Sequence, residues 1–81
     1  MDTELSQIPR NLLEKALKLR NAQRHIFITL CYFHEPQEAK IIAQKLGLAR
    51  AYVNMRLNEL VDQKMVTFIR KGKKKLFQVI R

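Results

Sequence analysis

The side chains with the greatest chemical reach lie in the second half of the sequence. Arg50, Asn54 and Asn58 fall on one stretch, and Arg70, Lys71, Lys73, Lys74 and Lys75 crowd around Gly72. A guanidinium presents a planar fork of donors, and a carboxamide presents a donor and an acceptor side by side. Such groups can read base edges: arginine pairs bidentately with guanine, asparagine with adenine. Ala51 and Met55 offer apolar contact for a thymine methyl, while Tyr52 and Arg56 suit phosphate. Five cations within the six residues 70–75 repel one another, which is tolerable mainly where phosphates neutralise them.

Other chemistries have less to work with. The only serine is Ser6, both glycines stand where turns are expected, and no glycine loop could cradle a nucleotide phosphate, so catalysis is not expected. Cys31 and His34 are one helical turn apart with His25 nearby, a grouping that could hold a metal. A paired cysteine of the metal-sensor kind is missing, however, and one Cys in an apolar helix is an ordinary core residue. Neither a metal nor a cofactor is expected.

Composition sets the frame. The 81 residues suffice for one small domain, and 47% hydrophobic with 28% charged residues indicates a globular chain. A formal net charge of +9 implies a polyanionic partner, with nucleic acid ahead of an acidic membrane surface. The charge is uneven: residues 65–81 hold 6 basic and no acidic residues, whereas residues 1–64 hold 10 basic and 7 acidic. One cysteine allows no intrachain disulfide, the start Met1-Asp2-Thr3-Glu4 is acidic, and no apolar run approaches the ~18 residues of a spanning helix. A cytoplasmic, soluble protein is the expectation.

The elements that position these residues follow from periodicity. Ala39, Ile42, Ala43 and Leu46 fall at i, i+3, i+4 and i+7, one face of a helix. Gly47 then supplies the left-handed stop, and Leu48 is expected to pack back on the finished helix. Val53, Leu57, Leu60 and Val61 form the stripe of a second helix over 49–64, leaving Asn54, Met55, Asn58 and Glu59 outward. Two short amphipathic helices meeting at a glycine make a helix-turn-helix. Upstream, residues 1–20 form an arm and a helix from about Pro9 to Arg20, with Leu12, Leu13, Ala16, Leu17 and Leu19 apolar. That helix is read as a dimerisation element, with an intrachain core role as the alternative. The run IFITLCYF is strand-like in composition, yet its place before the two helices reads as a third, deeply buried helix ending ahead of Pro36. Met65–Ile69 and Leu76–Ile80 alternate as strands of a β-hairpin whose basic tip turns at Gly72.

Three helices, the last two joined at Gly47, then a basic hairpin: over residues 21–81 the chain resembles the winged helix-turn-helix family of MarR/ArsR-type transcription regulators. The resemblance rests on Ala39, Ile42, Ala43, Leu46, Gly47 and Leu48, then Val53, Leu57, Leu60 and Val61, then Met65-Val66 and Gly72. It implies an α+β fold with a three-helix core, a C-terminal hairpin wing and an extra N-terminal helix. It also implies a homodimeric, sequence-specific repressor on double-stranded DNA, with the recognition helix in the major groove and the wing on the backbone or minor groove. Non-specific architectural DNA binding and a protein-interaction module remain alternatives. Two positions depart from the family's habit: Ala49 stands where Ser or Thr usually begins the recognition helix, and Lys64 where many members have Gly before the first wing strand.

Overall fold

The computed structural model describes residues 8–81, so the reading of Met1–Gln7 as a polar arm lies outside the described residues. Among the described residues four helices precede one hairpin: α1 (Arg10–Leu17), α2 (Asn21–Cys31), α3 (Ala39–Leu46), α4 (Arg50–Asp62), β1 (Val66–Lys71) and β2 (Lys74–Val79). This is a small α+β domain with a C-terminal antiparallel pair of strands.

Helix α2 is the hub, packing against α1, α3, α4 and β2. Its strand-like composition yields to context: with Ile26, Phe27, Leu30 and Cys31 all buried, the tertiary surroundings override β propensity. Val53, Leu57 and Leu60 of α4 meet Ile42 of α3, Val66 of β1 and Phe77 of β2 in the same apolar cluster. Full burial of each such side chain is worth about 1.5–3 kcal/mol.

Helix α1 belongs to that cluster. Leu12, Ala16 and Leu19 are buried within the single chain, which is the core role weighed against dimerisation. The helix is shorter than the periodicity suggests. Pro9 is its extended N-cap, with ψ 142°, and is not a first-turn residue. At the other end Arg24 donates from Nε to the Ala16 carbonyl (3.2 Å) and from Nη2 to those of Leu17 (3.2 Å) and Leu19 (2.9 Å). A helix end leaves carbonyls unpaired, and here a guanidinium collects them.

The two helix stops around α4 are chemically different. Gly47 takes φ 67° after α3, and the Leu48 N–H donates to the Ala43 carbonyl at 3.0 Å. Leu48 itself is 36% exposed, so its backbone rather than its side chain closes the helix. After α4, Lys64 takes the same left-handed conformation with φ 63°. Its N–H donates to Val61 O (2.9 Å) and that of Met65 to Leu60 O (3.0 Å), the paired bonds of a Schellman stop. Helix α4 therefore ends at Asp62, two residues earlier than expected. Lys64 does a glycine's work there at a cost of roughly 1–2 kcal/mol.

The hairpin strands run further than expected. Pairing extends from Val66↔Val79 to Arg70↔Lys75 and Lys71↔Lys74, leaving Gly72 and Lys73 as the turn. Gly72 has φ 63°, as the first central residue of a two-residue hairpin loop requires. Four of the five cations thus sit on paired strands, not in a loop, with like charges directly opposite. Such pairs are destabilising. Gln37 forms a one-residue bridge to β2, its N–H donating to Phe77 O and its carbonyl accepting from Phe77 N–H, both at 2.8 Å. That bridge pins the hairpin beside the start of α3.

Candidate nucleic-acid interface

At 3.6 residues per turn, α4 divides into an inner stripe and three outer sides. Val53, Leu57 and Leu60 point inward and are fully buried. Arg50, Asn54 and Asn58, at four-residue steps, form the flank nearest the hairpin. Ala51 and Met55 lie along the crest, both exposed. Tyr52, Arg56 and Glu59 form the opposite flank, toward the start of α2.

Between the first flank and the hairpin runs a groove of about 290 Å³. Arg50, Ala51 and Asn54 line it from α4, and Lys73, Lys74 and Lys75 from the hairpin. The sequence places these two groups about twenty residues apart; the fold makes them one surface. Lys40 and Glu38 of the α3 start also line the groove and pair with each other at 3.5 Å. Lys40 has no distinguishing signal in the sequence beyond lying off the apolar face of α3. Ala49, the N-cap of α4, provides no side-chain bond to the first-turn amides.

Not every basic residue of the hairpin is equally available. Lys75 is half-buried, with Nζ donating to Asn58 Oδ1 at 2.7 Å and lying 4.2 Å from the Phe68 ring centre and 5.0 Å from that of Phe77. Cation–π contact seats the ammonium on the hairpin's own rings, and the hydrogen bond to Asn58 ties it to α4. The same bond takes one of the two lone pairs of the oxygen that Asn58 would use in a bidentate pairing with adenine and turns that oxygen toward the hairpin. Arg70 is exposed, its guanidinium 5.8 Å from the Phe68 ring. Lys71 and Lys74 face a second depression of about 480 Å³ beside Pro36 and Ile41.

On the far flank the cation is tied down. Arg56 Nη1 donates to both oxygens of Glu59 (2.7 and 2.9 Å), and Glu59 Oε1 also accepts from Gln23 Nε2 at 2.6 Å. The Arg56 guanidinium lies 5.1 Å from the Tyr52 ring centre. The Glu59 hydrogen bond pushes the Arg56 pKa upward, against the opposing effect of burial, so Arg56 is cationic throughout the physiological range. By residue type Tyr52 and Arg56 share a phosphate role beside the rest of α4; the structure puts them in a different cleft, with Arg20, Asn21 and Gln23. The Gln23–Glu59 bond has no sequence signal, because its partners are 36 residues apart.

Cys31 is buried, and desolvation pushes its thiol up to about 11, with nearby Arg81 acting in the opposite direction. At neutral pH it is a thiol in the core, whereas His34 is exposed. Among the described residues no three of His, Cys, Asp or Glu are grouped to hold a metal ion. No described helix is long and apolar enough to cross a membrane. Compared with protein-family models and with curated proteins, the chain gives no match.

Proposed function

We propose that this chain is a winged helix-turn-helix protein that binds double-stranded DNA sequence-specifically and acts as a transcriptional repressor. Helices α3 and α4 form the helix-turn-helix, α4 enters the major groove, and the β1–β2 hairpin is the wing. The observation that carries this reading is the shared groove, in which Arg50, Ala51 and Asn54 sit beside Lys73 and Lys74. Base-reading groups and phosphate-seeking groups there face one ligand at once. The paired cations Arg70↔Lys75 and Lys71↔Lys74 support it, since a polyanion relieves a repulsion that the free protein must bear. Binding, not catalysis, is the proposed activity.

Repression and homodimerisation come from the family resemblance. A dimer through α1 has the 69%-exposed Leu17 and the half-buried Leu13 to use, because Leu12, Ala16 and Leu19 are engaged in the core. Selection of binding sites from random duplexes, followed by competition, tests the reading. A selected site should be near-palindromic, with half-sites about one helical turn apart, and should outcompete random DNA by ~10³ or more. Equal competition by random DNA turns the reading into architectural binding. Unchanged DNA affinity after replacing Lys73, Lys74 and Lys75 with Ala turns it into a protein-interaction module.

A further inference from the structure

We propose that the cleft on the far flank of α4, where Arg20 and Arg56 converge, is a second phosphate seat. Resting on the DNA-binding reading, it would take a phosphodiester of the strand opposite to the one the hairpin follows.

The cleft measures about 250 Å³ and lies between the start of α2 and α4, lined by Arg20, Asn21, Gln23, Tyr52 and Arg56. Two guanidiniums stand against one carboxylate, Glu59, whose Oε1 is already held by Arg56 and Gln23. The carboxylate therefore acts inside the network, fixing the plane of the Arg56 guanidinium over Tyr52. Arg56 Nε is buried with no partner in the fold and is closed to a phosphate as the side chain stands. Arg20 is exposed and, among the described residues, its side chain has no hydrogen bond or ion pair. It is also the N-cap of the 11-residue α2, where the first-turn amides lack a side-chain cap. The positive end of that helix adds to the same field.

Placement decides the ligand. A helix with its side chains is about 10–12 Å across, and the major groove is about 12 Å wide. Whatever lies along one flank of an inserted helix, the other flank meets the second backbone. Residues 54 and 56 are nearly opposite around the helix axis, so the hairpin groove and the Arg20–Arg56 cleft face the two borders of one major groove. The fixed and the free guanidinium then have separate roles, Arg56 setting the geometry and Arg20 closing over the phosphate.

The test is the salt dependence of binding by the full chain to a labelled 20-base-pair duplex, comparing Arg20→Ala, Arg20→Lys and Lys74→Ala with the original. Arg20→Ala removes an exposed side chain and leaves the core intact. The expected result is that Arg20→Ala and Lys74→Ala each reduce the slope of log K against log salt by about 0.9, with Arg20→Lys restoring it. If Lys74→Ala lowers the slope and Arg20→Ala does not, the seat is overturned while the DNA-binding reading stands. If the original chain binds no duplex, that reading falls and the seat with it.

Discussion

The two flanks of α4 carry comparable side chains in opposite states of engagement. Toward the hairpin, Arg50, Lys73 and Lys74 are exposed, and Asn54 presents both halves of its carboxamide. Toward α2, Arg56 is bonded to Glu59, Glu59 to Gln23, and the guanidinium rests over Tyr52. Free cations lose little on meeting phosphate and supply salt-sensitive affinity; a cation fixed beforehand supplies orientation, because its ordering entropy was lost on folding. Lys75 is the exception that makes the distinction useful. It belongs to the hairpin by sequence and to the fixed class by structure.

The sharpest way to break this comparison is to remove the free cations together. Replacing Lys71, Lys73 and Lys74 with Ala should lower duplex affinity by about 10²-fold near 0.1 M salt and reduce the salt slope by about 2.7. Thermal melting should show no loss of stability, because the like-charge pair Lys71↔Lys74 disappears with them. A variant that unfolds, or keeps its slope, contradicts the assignment of these residues as free phosphate ligands.

Base discrimination should divide the near flank itself. Asn54→Ala is expected to relax preference at one base pair by about 1–3 kcal/mol in a site-selection assay. Asn58→Ala should leave preference unchanged, since its Oδ1 is held by Lys75. Equal loss of preference in both variants would show that the Lys75 bond opens on DNA.

Lys75→Ala should cost about 1 kcal/mol of stability, through lost cation–π contact and one hydrogen bond. Hydrogen exchange of the hairpin amides should quicken, while the salt slope stays that of the original chain. A slope reduced as much as by Lys74→Ala would move Lys75 into the free class.

Lys64 is a cation outside both flanks and provides the smallest effect. Lys64→Gly should raise stability by roughly 0.5–1 kcal/mol, the relief of a left-handed non-glycine residue less the entropy that glycine adds to the unfolded chain. Chemical denaturation measures it. Unchanged or reduced stability would mean that contacts of the lysine stem offset its backbone strain.

Much of the architecture is legible in the sequence because periodicity records burial. Of the stripe Val53, Leu57, Leu60 and Val61, the first three form the buried inner face of α4 and Val61 is only partly buried beside them, while Gly47 and Gly72 mark turns that need positive φ. Boundaries are less legible. Ends depend on backbone geometry that several sequences can adopt: a lysine has no preference of its own for the left-handed position, and only the glycine usual at Lys64 in the resembled family hints at it. Alternation alone stops each hairpin strand two residues short of the tip, since Arg70-Lys71 and Lys74-Lys75 look like loop by charge and are strand by pairing.

The candidate site shows the same division. Residue types alone nominate Arg50, Ala51, Asn54, Met55 and the basic cluster, because base edges and phosphates demand those functional groups. Which side chains share a surface is settled by long-range contacts: Lys75 with Asn58, Gln37 with Phe77, and Gln23 with Glu59. The sequence by itself determined α1, α3 and α4, the hairpin, the charge and the chemistry on offer, all of which are local or additive, whereas the strand-like run of α2 is helical because of what surrounds it. Only the tertiary structure decided that α1 packs into the core, that Arg56 and Lys75 are held, and that two clefts flank one helix. Those outcomes depend on which groups meet across the fold, and spacing along the chain carries no record of it.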